Sequence, residues 1–335
     1  MYWFGSDRTG WRFAEALADR ARAGVKVRIS YDAVGSWDSE DAVFETMREA
    51  GCEVYEHAPI RPWRRRFKIG VLNNRDHRKM LVVDGRICFT GGINFGDPWA
   101  SIEDGGEGWR DDMIRVEGPA ARQMREIFLD SWRAAHAEPS DDEPEPEAPE
   151  AKEGSQVRVV SNHYRGTRRA IRREYLSRIA TARERIVIAN SYFIPDRVVR
   201  RALADAARRG VEVNVLLPGD NDVPAVQWAS RRLYGWLMKR GIQLFEWYGT
   251  VLHSKSAVID GHWCTVGSYN LDWRSLRFNL EVVAVVEDDR VGRALEERLA
   301  QDLERATPVR LADWRYRPLG DRLLERFFFQ FRKLL

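Results

Sequence analysis

Cysteine is nearly absent from this 335-residue chain: Cys52, Cys88 and Cys264 are an odd, scattered set with no C-x-x-C spacing. That excludes a disulfide framework and a cysteine-built zinc site, and it points to a reduced, cytosolic setting. Long apolar runs are also missing. No stretch of about 18 apolar residues occurs, and Met1 to Gly10 lacks the basic start and apolar core of a secretory signal, so the chain is expected neither to span a membrane nor to be exported. Nor is there an excess of one charge. Lys and Arg number 54 against 51 Asp and Glu, a net charge of +3, so only the local distribution of charge can speak of partners. What remains is a chain with 44% hydrophobic residues, enough to bury a core and long enough for about two domains.

The segment AEPSDDEPEPEAPEAKEGSQ, residues 137–156, has no large apolar side chain to bury and reads as an acidic, Pro-rich linker. It separates 1–136 from 157–320, with a basic, apolar segment at 321–335. Comparing the two large pieces reveals an internal repeat. Tyr2-Trp3-Phe4 followed by Asp7 matches Tyr192-Phe193-Ile194 followed by Asp196. Ala16-Leu17-Ala18-Asp19 with Gly24-Val25-Lys26-Val27 matches Ala202-Leu203-Ala204-Asp205 with Gly210-Val211-Glu212-Val213. Each is a helix stopped by glycine before an alternating strand, so both halves read β-α-β. The expected fold is α/β: two halves related by a pseudo-two-fold, each a mixed sheet flanked by helices.

After these units each half carries the same text at the same spacing. His77-Arg78-Lys79, Asp84 and Gly91-Gly92-Ile93-Asn94 are matched by His253-Ser254-Lys255, Asp260 and Gly267-Ser268-Tyr269-Asn270. The apolar stretches Met80–Val83 and Ser256–Ile259, each followed by Asp-Gly, predict a strand, a tight turn and a returning strand. His and Lys two residues apart share a strand face, so each half offers one imidazole and one ammonium to a common side. Asp84 and Asp260 have two readings, as members of the catalytic set or as residues that shape the hairpin turn. The Gly pairs either clear the way for a phosphate or mark a bulge, and Ser268 adds a hydroxyl in one half only. His57, His136, His163 and His262 have no repeated Lys partner and are assigned no chemistry.

With HRKMLVVDGRICFTGGIN, WRDDMIRVEGPA and GSYNLDWRSLRFNLE in view, the chain resembles the phospholipase D superfamily, defined by two such H-x-K-x4-D motifs, and within it the bacterial cardiolipin synthases. The likeness covers nearly all of the chain except the linker. It implies one active site where the two motifs meet, with His77 as nucleophile and His253 as general acid.

The residues support phosphodiester chemistry in their own right. Cleavage needs a nucleophile, an acid for the leaving alkoxide and fixed positive charge for the phosphoryl oxygens. One neutral imidazole can attack phosphorus while the other protonates the leaving oxygen. Lys79 and Lys255, with Asn94 and Asn270, can hold the oxygens, and no cofactor or metal is required. A nucleophilic histidine also needs an acceptor on its other ring nitrogen. Aligning Asp111–Glu117 with Glu281–Glu287, both acid-led apolar strands, puts Asp111 and Glu281 in equivalent positions, and these are the expected imidazole partners. The family likeness also implies an acidic residue there.

Two features bear on the substrate. From Gly51 to His77 is 26 positions, against 12 from Gly241 to His253, and the extra length holds the cationic, aromatic run Arg61–Lys68. It suits anionic headgroups or a nucleic-acid backbone. The end of the chain, Arg322–Leu335, mixes Phe, Leu, Arg and Lys and is suited to lying in a membrane interface at the cytoplasmic face. Together they favour an enzyme acting on anionic phospholipid at a membrane surface, with phosphatidylglycerol as the substrate that the resemblance implies. Hydrolysis of nucleic acid or phospholipid is the alternative. One irregularity stands out. The second half has a strand and helix region, Val157–Ile188, ahead of Tyr192, whereas the first half begins at Tyr2. Residues upstream complete the first sheet in the resembling family, so an open edge is expected there.

Overall fold

A computed structural model describes residues 1–59, 73–136, 154–162 and 167–335. The first half runs α1 (Arg8–Arg22), β1 (Arg28–Asp32), α2 (Asp41–Glu49), β2 (Glu53–His57), β3 (Met80–Val83), β4 (Ile87–Gly91), β5 (Met113–Glu117) and α3 (Pro119–His136). The second runs β6 (Gln156–Ser161), α4 (Ala170–Thr181), β7 (Arg185–Asn190), α5 (Arg197–Arg208), β8 (Glu212–Pro218), α6 (Pro224–Met238), β9 (Gln243–Trp247), β10 (Lys255–Ile259), β11 (Trp263–Gly267), α7 (Trp273–Arg277), β12 (Val282–Glu287) and α8 (Asp289–Arg305). A short strand β13 (Thr307–Pro308) and helices α9 (Leu311–Trp314) and α10 (Leu319–Gln330) follow. Most of the linker, 137–153, the cationic run Arg61–Lys68 and His163 lie outside the described residues.

The repeat in the sequence is a repeat in local structure. Asp7 and Asp196 each precede a helix and cap it, Asp7 accepting from Gly10 N and Asp196 from Val198 N and Val199 N. Both helices end before a left-handed glycine, Gly24 at φ +86° and Gly210 at φ +94°, a conformation that only glycine adopts without strain. Asp84-Gly85 and Asp260-Gly261 are all at positive φ, +52°, +62°, +53° and +60°, which makes both hairpin turns the type whose twist matches antiparallel strands.

The second half builds one mixed eight-stranded sheet in the order β13-β9-β8-β7-β10-β11-β12-β6. β7 is its hinge, pairing parallel with β8 and antiparallel with β10. β10, β11 and nearly all of β12 are buried, as expected of central strands covered on both faces. The first half departs from the expected single mixed sheet. β1 and β2 form a parallel pair, β3-β4-β5 form an antiparallel triplet, and among the described residues no strand stands where β7 stands in the second half. Met1 lies along the edge of β1 instead, donating its amino group to Ser30 O at 2.6 Å and accepting from Asp32 N at 3.1 Å.

The triplet packs on the larger sheet. Cys88, Val116 and Met124 from the first half meet Val282 and Ala284 of β12 in a shared apolar layer. Burying such side chains contributes roughly 25 cal/mol per Å², so this layer holds the halves together. Next to it Arg110 crosses from one half to the other, pairing with Asp302 and Asp112 at 2.6 Å each.

Candidate active site

Loops at the ends of β1, β4, β7, β8 and β11, together with the segments leading into β3 and β10, open into one cleft of about 500 Å³ between the halves. His77, His253, Asn94 and Asn270 all line it. Four of the repeated residues thus come from distant parts of the chain to one place.

Each histidine is fixed by the opposite half. The backbone N–H of His77 donates to Leu280 O at 3.1 Å, and its ring Nδ1 lies 3.0 Å from both carboxylate oxygens of Glu281. The arrangement recurs with the halves exchanged: His253 N donates to Arg110 O at 2.8 Å, and its Nδ1 lies 2.8 Å from Asp111 Oδ2. The expected partners are therefore at the imidazoles, and each crosses the interface. Glu281 is fully buried, accepting from Ser268 Oγ and from Ser275 Oγ at 2.8 Å. In the equivalent place of the first half there is no hydroxyl. Gly92 leaves room for Asp111, since a Cβ there would come within 2.2 Å of its Oδ1, and Trp99 Nε1 donates to Asp111 at 2.9 Å in place of a serine. Ser268 thus touches Glu281, the partner of His77, and not the imidazole itself.

Lys79 and Lys255 are buried behind the rings. Lys79 Nζ donates to His77 O at 2.9 Å and stands 4.9 Å from the Tyr2 ring centre. Lys255 Nζ donates to His253 O, bonds Ser191 Oγ at 2.9 Å and lies 2.9 Å from His253 Nδ1. Ser191 in turn donates to Asn270 Oδ1 at 3.0 Å, while Asn94 Oδ1 accepts from Trp3 N at 3.2 Å. Both amides are thus oriented before any ligand arrives.

Asp84 and Asp260 are elsewhere. They sit at the far ends of their hairpins, about 16 Å of extended strand beyond the lysines. Asp84 is exposed, and Asp260 accepts from Arg183 N, Glu184 N and Arg185 N at 2.9, 2.9 and 3.0 Å. Of the two readings open to these aspartates, turn building is the one that this placement supports. Sequence reasoning also missed residues of the cleft. Trp99 and Trp109 meet the His253 ring at centroid distances of 5.2 and 5.8 Å, and Arg75, Asp272 and Arg274 line the wall. None of these five was marked by the repeat. Tyr2 and Tyr192 were visible as a repeated aromatic, and each ring stands edge-on to its own half's histidine, at 4.9 and 6.5 Å.

Burial with clustered cations sets the electrostatics. Lys79 is pushed down to about 7 by burial and by Lys255, and burial pushes Lys255 down to about 8. Both imidazoles fall below their ordinary value through burial, His253 the further because Lys255 adjoins it. Burial lifts Asp111 to about 6. Glu281, which burial would raise, is held below its usual range by His77. Two buried ammonium groups behind the rings favour an anion in the cleft, and a phosphodiester is the anion whose chemistry these groups serve.

The comparisons with known proteins agree with that geometry. Residues 1–132 and 175–303 match the family described as cardiolipin synthase, PLD-like domain. Cardiolipin synthase A of Serratia proteamaculans (strain 568) is 33% identical over 329 residues, 96% of this chain and 67% of the relative. That of Yersinia pseudotuberculosis serotype O:1b is 33% identical over 331 residues, with the same coverage. The chain belongs to the cardiolipin synthase family of phospholipase D-like proteins. Members of this family transfer phosphodiesters, and this chain is such an enzyme. The phosphatidylserine synthase of Haemophilus influenzae Rd KW20 shares the fold, with a TM-score of 0.73 and 13% identity, over 99% of this chain and 88% of that one.

A pH dependence follows for this family member. Between pH 7 and 9 the empty cleft loses protons from Lys79 and then Lys255, and with them the charge that attracts a phosphodiester anion. Bound anion favours the protonated ammonium groups and moves both titrations upward. The ratio kcat/KM, which reports the free enzyme, should therefore fall as pH rises from about 7, with kcat declining only at higher pH. A kcat/KM that stays flat from pH 6.5 to 9 would show that these lysines do not lose their charge in that range.

Proposed function

We propose that this chain is a phosphatidyltransferase of the cardiolipin synthase type, moving a phosphatidyl group from phosphatidylglycerol to an alcohol. The observation that carries this reading is the crossed arrangement: two imidazoles facing one cleft, each held by the other half's carboxylate, with two ammonium groups behind them. The histidine surroundings also divide the labour. Nδ1 of His77 faces only a carboxylate, so it carries the proton and leaves a lone pair on Nε2 for attack. Nδ1 of His253 faces an ammonium as well as a carboxylate. With a phosphodiester anion bound, His253 acts as an imidazolium: Asp111 accepts from its Nδ1, and loss of the Nε2 proton to the leaving oxygen leaves a neutral imidazole.

The steps balance. His77 Nε2 attacks phosphorus, the bond from phosphorus to the glycerol headgroup oxygen breaks, and the departing alkoxide takes the proton of His253. The acceptor alcohol then gives its proton to His253 and its oxygen attacks phosphorus, releasing His77. Lys79, Lys255, Asn94 and Asn270 hold the non-bridging oxygens throughout. Water as acceptor gives hydrolysis, so the fate of the intermediate depends on what enters the cleft.

We place the enzyme peripherally on the cytoplasmic face of a membrane. The apolar α10, with Arg332 and Lys333 just beyond its end, supports this, and three unpaired thiols suit a reducing compartment. Vesicles of labelled phosphatidylglycerol and single-stranded DNA, offered separately, test the reading: release of glycerol with a larger anionic lipid product supports it, and cleavage of DNA alone replaces it with a nuclease. Because lysines supply the positive charge, EDTA should leave turnover unchanged. Loss of activity with EDTA, restored by a divalent ion, would transfer the role of Lys79 and Lys255 to a metal.

A further inference from the structure

Away from the histidines, α5 and α6 border a second cleft of about 790 Å³, lined by Arg197, Arg200, Arg201, Lys239 and Arg240 around Trp236. Among the described residues none of these five cations forms an ion pair, and the one acid of the lining, Asp205, is held by Arg208 at 2.9 Å. Arg240 and Arg200 stand 3.8 and 5.4 Å from the Trp236 ring centre, and Nε of Arg200 is buried without a hydrogen-bond partner. Burial, then Arg332 and Arg197, hold the Arg200 guanidinium below its ordinary value. Like charges gathered this closely repel, and an anion in the cleft relieves that cost.

The surroundings say which anion. α10 packs on α6 through Phe328 and Phe329, which join the same core as Trp236. Its other side carries Leu319, Leu323, Phe327 and Phe331 at intervals of four, exposed by 73, 69, 54 and 44%. An exposed apolar stripe beside a cation-lined cleft with an indole in its wall matches the two layers of a lipid surface, acyl chains and phosphates. Two residues beyond Arg332, Leu334 and then Leu335 line the catalytic cleft, and Arg274 donates to Leu334 O at 3.1 Å. Two residues span at most about 7 Å, so this short stretch leads from Arg332, whose charge is felt at Arg200, to the catalytic cleft.

We propose that the cleft between α5 and α6 is a headgroup site for an anionic phospholipid, separate from the catalytic cleft, which seats the apolar face of α10 on the bilayer. The site is occupied by a lipid that is not turned over, and it sets the orientation in which substrate lipid in the same leaflet meets His77 and His253. The proposal rests on the reading of this chain as a lipid enzyme at a membrane surface.

Flotation of the full chain with vesicles of phosphatidylglycerol in phosphatidylcholine, and with pure phosphatidylcholine, tests it. Two paired variants are compared, R197Q/R201Q at exposed positions and R200Q/R240Q around Trp236, with thermal unfolding as a check on the fold. Each pair should reduce partition onto the anionic vesicles about thirty-fold, two residues at about 1 kcal/mol each. Partition onto phosphatidylcholine, and turnover of a dispersed short-chain phosphatidylglycerol, should stay as in the parent. Partition within threefold of the parent for both pairs overturns the proposal, as does an equal loss on neutral vesicles, or a loss confined to single-stranded DNA binding. If the charge-dependent partition holds while no phospholipid is turned over, the catalytic reading fails and the headgroup site stands. The reverse pattern removes the headgroup site alone.

Discussion

Replacing His77 with alanine should leave no covalent phosphoryl adduct and reduce transfer to background, whereas His253→Ala should leave an enzyme whose defect depends on the leaving group. The two substitutions differ because the reaction has two chemically distinct needs. In the proposed mechanism the His77 imidazole, with Nδ1 held by Glu281 at 3.0 Å, supplies the electron pair, and His253 is committed to the proton. Loss of a nucleophile of this kind costs on the order of 10⁶ in rate in the best-measured case, a serine protease. In the same proposal His253 supplies a proton to the departing alkoxide, a contribution of roughly 10² to 10⁴. A nitrophenolate leaves without that proton, so a nitrophenyl phosphodiester should restore adduct formation in His253→Ala but not in His77→Ala. Acid quench followed by mass spectrometry locates the adduct. Finding it on His253 in the parent enzyme would exchange the roles, and finding it on neither residue during turnover would establish direct displacement.

The second large effect comes from the crossed carboxylates. Glu281→Gln, a change in the second half, should slow adduct formation with either leaving group, and Asp111→Asn, in the first half, should reproduce the leaving-group dependence of His253→Ala. An amide at Glu281 offers a donor to Nδ1 of His77 and favours the tautomer with its proton on Nε2, where the attacking lone pair is needed. The same change in the protease triad costs about 10⁴, and a comparable loss is expected here. Asp111→Asn should cost less, since the proton transfer it supports contributes only roughly 10² to 10⁴. A Glu281→Gln enzyme that still forms the adduct at the parental rate would show that the carboxylate only fills space. The nitrophenyl substrate separates the two acids without a structure of either variant.

How much of this was readable in the sequence depends on whether a residue's partner lies in its own repeat. The duplicated segment put His77, Lys79, Asn94 and their counterparts in one frame, because the spacing of a strand and its turn is written locally. Aligning the two acid-led strands found Asp111 and Glu281. It could not say which acid serves which ring, since that depends on how two sheets face each other, and no periodicity along one chain carries that. Asp84 and Asp260 show the converse. Their fixed spacing came from turn chemistry, where a left-handed Asp-Gly pair suits the hairpin, and spacing alone does not separate that from catalysis. Trp99 and Trp109 lie in a stretch without a repeated counterpart, so comparison of the halves gave no signal for them. The first half's strands form two sheets because, among the described residues, none bridges β1 and β3 as β7 bridges β8 and β10, and the repeat gave no measure of that.

The exchange of carboxylates between halves also bears on when, during synthesis, the protein becomes reactive. Chain growth runs from the amino terminus, and His77 emerges some 200 residues before Glu281, the carboxylate that its Nδ1 meets and that the proposed mechanism needs there. His253 has the opposite history, since Asp111 is already in place when it appears. A nascent chain therefore exposes no competent nucleophile until β12 and its neighbours are made and the second sheet has closed on the first. For a catalyst that would form a covalent bond to the lipid of the membrane, as proposed above, this order makes reactivity the last property the folding chain acquires.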